Sequence, residues 1–161
     1  MEQELTARIV ALRILNEFDQ NHVLDYGMAN ELDPRDRGRV REHLQGLFRK
    51  RLYLDFLINE FSHVDVAEMN SRIKNVLRLG IYEMLFMDGT PDYAAINETV
   101  ELAKKEVSSK TADLVNAILR NMQRSMPNLP KPAMEDRAEL IATTFSHPVW
   151  MVRRWVKRFG E

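Results

Sequence analysis

The chain contains no cysteine, which excludes disulfides, thiolate nucleophiles and cysteine-ligated metals and leaves a reducing compartment open to it. Glycine and proline supply only six residues each, too few for a collagenous or low-complexity chain. No apolar run approaches the roughly 20 residues that cross a bilayer. The first residues, Met1-Glu2-Gln3-Glu4, are acidic where a secretory leader would be basic. These absences together point to a cytoplasmic protein without a membrane partner. Also missing are the GxGxxG dinucleotide loop, the GxxxxGK[ST] phosphate loop and the HExxH zinc helix. Strong charge of one sign is lacking too: the formal net charge is -1, which argues against bulk affinity for polyanions.

What remains is an ordinary globular composition, 45% hydrophobic and 29% charged over 161 residues, a length that fits one domain plus an attachment. Its apolar residues recur at helical spacing and nowhere alternate as in a strand. Leu5, Ile9, Leu12, Leu15 and Phe18 mark a first helix, and Leu24, Met28 and Leu32 a shorter second one with Gly27 inside it. Asp33-Pro34 with Asp36 forms an N-cap. The stripe that follows runs through Val40, Leu44, Leu47, Leu54, Leu57, Ile58 and Phe61, either as one long helix or as two with a bend. Ser62 to Val66 is a connection. Ile73, Val76, Leu77, Ile81, Met84 and Leu85 line the next helix, where Gly80 marks a close approach by some neighbour. After Asp88-Gly89-Thr90-Pro91, one helix carries Ile96, Val100 and Ala103, and another Leu114, Val115, Ile118, Leu119 and Met122. The pattern predicts an all-α bundle of six or seven helices over residues 1–125. Pro127, Pro130 and Pro132 mark a linker over 126–134. Two short helical segments over 135–161 form a C-terminal extension, with Ser146 positioned to cap the second.

Few residues invite a chemical role. His22, His43, His63 and His147 have no close His or Cys partner in sequence, so structural or surface positions suit them better than metal ligation or catalysis. Asn97, Glu98 and Glu101 suggest paired acids, but capping and pairing with Lys104 and Lys105 on one helix account for them. The nine methionines suit core filling better than a ligand groove. Charge is more informative where it is concentrated. Pro34 to Leu52 holds seven basic residues against two acidic ones, and Arg153, Arg154, Lys157 and Arg158 close the chain with Glu161 alone opposing them. Such clusters usually form a solvated helix face, yet arginine also pairs with phosphate and stacks on unpaired bases.

Several motifs carry a family resemblance. They are Arg8 with Ala11, Pro34-Arg35-Asp36-Arg37, Gly46 with Arg49, Leu77-Arg78-Leu79-Gly80-Ile81-Tyr82, the run Pro91 to Lys104 (PDYAAINETVELAK), and Leu114-Val115-Asn116-Ala117-Ile118-Leu119-Arg120. Over almost its whole length the chain resembles the NusB-like RNA-binding domain at the amino end of the RsmB (Sun/Fmu) family of bacterial 16S ribosomal RNA cytosine-5 methyltransferases. Phe145-Ser146-His147-Pro148-Val149-Trp150, with Trp155 beyond, resembles the junction leading into the methyltransferase part, which free-standing NusB lacks.

The resemblance implies a NusB-like bundle whose basic cluster guides 16S ribosomal RNA, with Arg8, Arg37, Arg41, Arg49, Lys50 and Arg51 as the candidate contacts. Gly80 would sit at a tight helix crossing, and Asn97, Glu98 and Asn116 would be structural hydrogen-bonding groups. His147, Trp150 and Trp155 would face a catalytic domain beyond Glu161, leaving both tryptophans partly covered by the bundle or by that domain. The S-adenosylmethionine (SAM) site and the two active-site cysteines of the family would belong to the same distant part, so no cofactor and no methyl transfer are expected of these 161 residues alone. The competing expectation is a stand-alone antitermination factor or protein-protein adaptor.

Overall fold

Each helix begins where a polar side chain or a proline accommodates amide groups that have no partner inside the helix. In the computed structural model, which describes residues 5–160, Thr6 Oγ1 accepts from the Ile9 amide ahead of α1 (Ala7–Asn21). The acidic start Met1–Glu4 and the terminal Glu161 lie outside the described residues. Asp33 accepts from the amides of Arg35 and Asp36 at 2.8 and 2.9 Å and, with Pro34 in the first position, opens α2 (Pro34–Phe61). Asn70, Ser108 and Asp136 cap α3 (Ser71–Phe86), α5 (Ser109–Ser125) and α6 (Arg137–Phe145) in the same way. The remaining two, α4 (Asp92–Glu106) and α7 (Val149–Phe159), follow Pro91 and Pro148 without a side-chain cap. No strand occurs among the described residues, and no described helix is long and apolar enough to cross a membrane.

The described residues up to Ser125 hold five α-helices, fewer than the sequence pattern predicts, for two reasons. The stripe from Val40 to Phe61 is one uninterrupted 28-residue helix, because Gly38 and Gly46 lower helix propensity without breaking it. The segment around Met28 forms only a 3₁₀ turn, Gly27–Glu31, after an Asx turn in which the Gly27 amide donates to Asp25 Oδ1 at 2.7 Å. Leu24, expected to face inward, is exposed there. Leu114 is exposed as well, since the buried stripe of α5 is Thr111, Ala112, Val115, Ile118, Leu119 and Met122, and Leu114 falls off its edge.

The helix at the centre is α3, which packs on α1, α2, α4 and α5. Every residue from Asn75 to Met84 is buried, the pattern of a helix enclosed on all sides. Two glycines permit this. A Cβ on Gly46 of α2 would lie 2.0 Å from the Tyr82 hydroxyl of α3, and one on Gly80 of α3 would lie 2.6 Å from Thr99 Cγ2 of α4. The neighbour of Gly80 is therefore α4. The buried Arg78 and Asn75 of α3 are paired across helices. Arg78 donates to both oxygens of Asp55 at 2.7 and 2.8 Å and to Asn75 Oδ1, and Asn75 donates to Asn16 and Asp19 of α1.

After α5 the chain makes a short 3₁₀ turn, Met126–Asn128, and runs extended through the prolines to α6. That helix lies against α2, while α7 packs on α6, where Val152, Val149 and Val156 cover Ala138, Ile141 and Ala142 in a small second core. Ser146 does not cap α7. It ends α6 in the left-handed conformation (φ 56°), and its Oγ accepts from the Tyr53 amide at 3.1 Å, tying the extension to α2.

Candidate nucleic-acid interface

The basic residues of α2 do not form one surface, because a helix turns about 100° per residue and the cluster extends around the whole circumference. Arg37 and Arg41 lie one turn apart on the outer side, Arg37 half-buried and Arg41 exposed, and neither has a carboxylate partner among the described residues. Arg49, two turns beyond Arg41, is also exposed and donates only to Gln45 Oε1 at 3.2 Å. These three guanidinium groups, with the exposed Arg35 at the start of the helix, are free to meet an anion.

Lys50 and Arg51 point elsewhere. The Lys50 ammonium lies 5.0 Å from the centroid of the Phe86 ring at the end of α3, a cation-π contact that still leaves the charge available. Arg51 reaches back to Asp19 of α1 at 3.4 Å and joins the polar network around Asn75. Its side chain stays 37% exposed but is drawn towards α1 rather than towards Arg41.

Arg8 is engaged more closely. Its Nε donates to Glu83 Oε1 at 2.7 Å, and its Nη1 pairs with Glu98, so the guanidinium is held between two carboxylates and largely shielded from solvent. The buried His43 ring bridges the Arg39 carbonyl and the same Glu83 oxygen, 2.7 Å from each, while Glu83 Oε2 is buried without a hydrogen bond. Spacing alone could not reveal this cluster, since its members come from α1, α2, α3 and α4.

The motif residues of α4 and α5 are placed differently from one another. Glu98 is mostly exposed and serves Arg8, and Asn97 accepts from Arg120 of α5 at 2.8 Å. Asn116 is exposed and makes no hydrogen bond among the described residues. Burial and the charge of Glu42 push the Tyr82 hydroxyl pKa above the usual phenol value, with nearby Arg49 opposing the shift.

On the extension, the His147 ring meets Trp155 edge-on at 5.3 Å between centroids. Trp150 and Trp155 are 66% and 41% exposed, and Phe159 more so. Trp155 is thus partly covered within the chain, with His147 against it, while Trp150 is left largely open. An aromatic surface of this kind beside Arg154 and Arg158 is unusual on a helix facing only water.

The model of the NusB family matches residues 5–124. A probable ribosomal RNA small subunit methyltransferase B of Bacillus subtilis is 31% identical over 165 residues, covering 98% of this chain and 36% of its own length. The chain thus spans about a third of the methyltransferase relatives it matches. The transcription antitermination protein NusB of Chloroflexus aggregans is 34% identical over 126 residues, covering 73% of this chain and 84% of its own length. Among solved structures, a chain in the crystal structure of a plectonemic RNA supercoil superposes with a TM-score of 0.68 at 18% identity, over 77% of this chain and 96% of that one. That likeness is one of fold.

Proposed function

The chain belongs to the NusB family, and from that premise we propose that it is a non-catalytic RNA-binding domain that positions 16S ribosomal RNA for a cytosine-5 methyltransferase. The catalytic part, with its SAM site, would lie in the same longer protein. In this reading residues 1–125 contact RNA, 126–134 link, and 135–161 join the bundle to the catalytic part through His147, Trp150 and Trp155.

The observation that carries the assignment is the extension. Two methyltransferase relatives align over 98% of the chain and two more over 83%, whereas the NusB relative from Chloroflexus aggregans aligns over 73%. The exposed indoles of α7 add physical support, because large aromatic surface tends to be covered by a further domain. RNA contact is supported by the unpaired guanidinium groups of Arg37, Arg41 and Arg49, with Lys50 beside them. Chemistry is placed elsewhere because a cysteine thiolate is the nucleophile such a transfer uses in the family this chain resembles, and this chain has no cysteine.

A salt titration with a 16S ribosomal RNA fragment tests the reading. Phosphates neutralised by arginine release condensed counterions, so affinity should fall as salt rises. Arg41→Ala and Arg49→Ala should each reduce the magnitude of the salt slope by about 0.7 to 1 with circular dichroism unchanged. Binding that ignores salt, or variants whose slopes match the parent, would refute the surface and favour a protein-protein adaptor.

A further inference from the structure

Phe86 ends α3 with 39% of its surface exposed. It is the wall shared by two cavities of similar size and opposite character. One, about 590 Å³, gathers Asp36, Glu42, Glu83, Asp88 and Glu98 around only two arginines, Arg8 and Arg39. The other, about 600 Å³, is lined by Lys50, Tyr53, Phe86, Leu129, Lys131 and Thr144, among others, and no carboxylate lines it among the described residues. Four segments build this second groove: α2, the end of α3, the proline linker and α6. The Ser146 to Tyr53 hydrogen bond holds the last of these in place.

We propose that this groove receives one unpaired base of an RNA strand, with the neighbouring phosphates on Lys50 and Lys131. The inference rests on the RNA-binding reading above and gives it a subsite. An aromatic face accepts any base by stacking. Phe86 packs against Tyr82 at 5.6 Å, has Tyr53 edge-on at 6.4 Å, and carries the Lys50 ammonium over its ring 5.0 Å from the centroid, so an entering base takes the place of that ammonium, which moves onto a neighbouring phosphate. The Thr144 hydroxyl donates to the Leu140 carbonyl at 2.7 Å, so its oxygen can still accept a hydrogen bond from a base edge. The acidic cavity on the far side of Phe86 repels phosphate and sets the direction in which the strand leaves. A base held in a duplex cannot enter such a recess, so the ligand is single-stranded. The linker and α6 thereby gain a role in binding beyond connection: without Leu129, Lys131 and Thr144 the groove has one wall.

The test compares two probes of equal length on the full chain by fluorescence anisotropy: an oligouridylate, and an abasic ribose-phosphate strand. Phe86→Leu should weaken oligouridylate binding about tenfold, within the range for loss of one stacked base, and leave the abasic strand unaffected. Phe86→Tyr should retain parental affinity for both. Lys131→Ala, exposed on the linker, should lower the salt slope on either strand by about 0.7. Should Phe86→Leu alter the melting curve, the tyrosine and lysine variants still decide. The proposal is overturned if the parent binds neither strand, if it binds both equally, or if the Lys131 variant keeps the parental slope. Those outcomes leave the Arg41 and Arg49 titration on the 16S fragment standing, so the failure of the groove and the failure of the RNA reading are separable.

Discussion

Replacing Gly80 by alanine puts a methyl group into the α3–α4 crossing. The added Cβ would meet Thr99 Cγ2 at 2.6 Å, Oγ1 at 2.8 Å and Cβ at 3.1 Å. Thr99 cannot swing away, because it is 1% exposed, its Oγ1 donates to the Ala95 carbonyl at 2.7 Å, and a β-branched side chain has few rotamers. The backbone of α4 must therefore retreat. Alanine recovers about 1 kcal/mol of helix propensity over glycine, while overpacking a tight core costs about 1 to 3 kcal/mol. A net loss of up to about 2 kcal/mol follows, or up to roughly 8 °C in Tm for a chain of this size. Gly38→Ala is the internal control: nothing lies within 4 Å of its built Cβ, so this exposed helical position should gain up to about 1 kcal/mol. Urea and thermal unfolding followed by circular dichroism measure both. Adding Thr99→Ala to Gly80→Ala should give a double variant more stable than the sum of the single effects predicts. A Gly80→Ala protein as stable as Gly38→Ala, or a strictly additive double variant, would refute the crossing argument.

Arg78→Ala should cost about 3 to 5 kcal/mol in urea unfolding, because it leaves the Asp55 carboxylate and Asn75 in the bundle without their bidentate partner. The Asp136 carboxyl is held below its ordinary pKa first by the Glu139 amide, then by Arg153, with the Ala138 amide adding to them. A pKa lowered in the folded state stabilises above the unfolded value and is lost as pH falls through the folded one. Amide exchange at the start of α6 should therefore quicken below about pH 4, and an Asp136→Asn variant should show a flatter pH profile. Iodide or acrylamide should quench both indoles in this chain, Trp150 more than Trp155, and quench them less in a protein that includes the methyltransferase part. Equal quenching in both proteins would contradict a domain interface. The purified chain, given SAM and 16S ribosomal RNA, should transfer no radiolabelled methyl group.

Helix positions were readable because apolar spacing and capping chemistry are local. Asp33-Pro34 marked the start of α2, the prolines from 127 to 132 marked the end of helical pairing, and Gly80 stood out within a strongly apolar stripe. Where the reading failed, a local signal was overruled. Met28 and its neighbours had helical spacing but too short a run, so an Asx turn and a 3₁₀ turn formed instead. Leu114 had the right residue type one step off the buried face. A serine before a proline looked like an N-cap and became the C-cap of the preceding helix.

The candidate interface was less legible because charge counts carry no partners. Sequence alone determined that α2 is crowded with arginines, that no thiol chemistry is available, and that the aromatic α7 follows a proline-rich link. Tertiary structure alone decided which charges remain free. Arg8 and Arg51 looked like Arg41 in sequence, yet carboxylates from distant helices, Glu83 and Glu98 for one and Asp19 for the other, claim them. Likewise Phe86 and Lys131 sit far apart along the chain and share a groove only because α6 folds back on α2. The division has a physical cause: helix formation is set by interactions three or four residues apart, whereas the availability of a charge depends on every group the fold brings within a few ångströms of it.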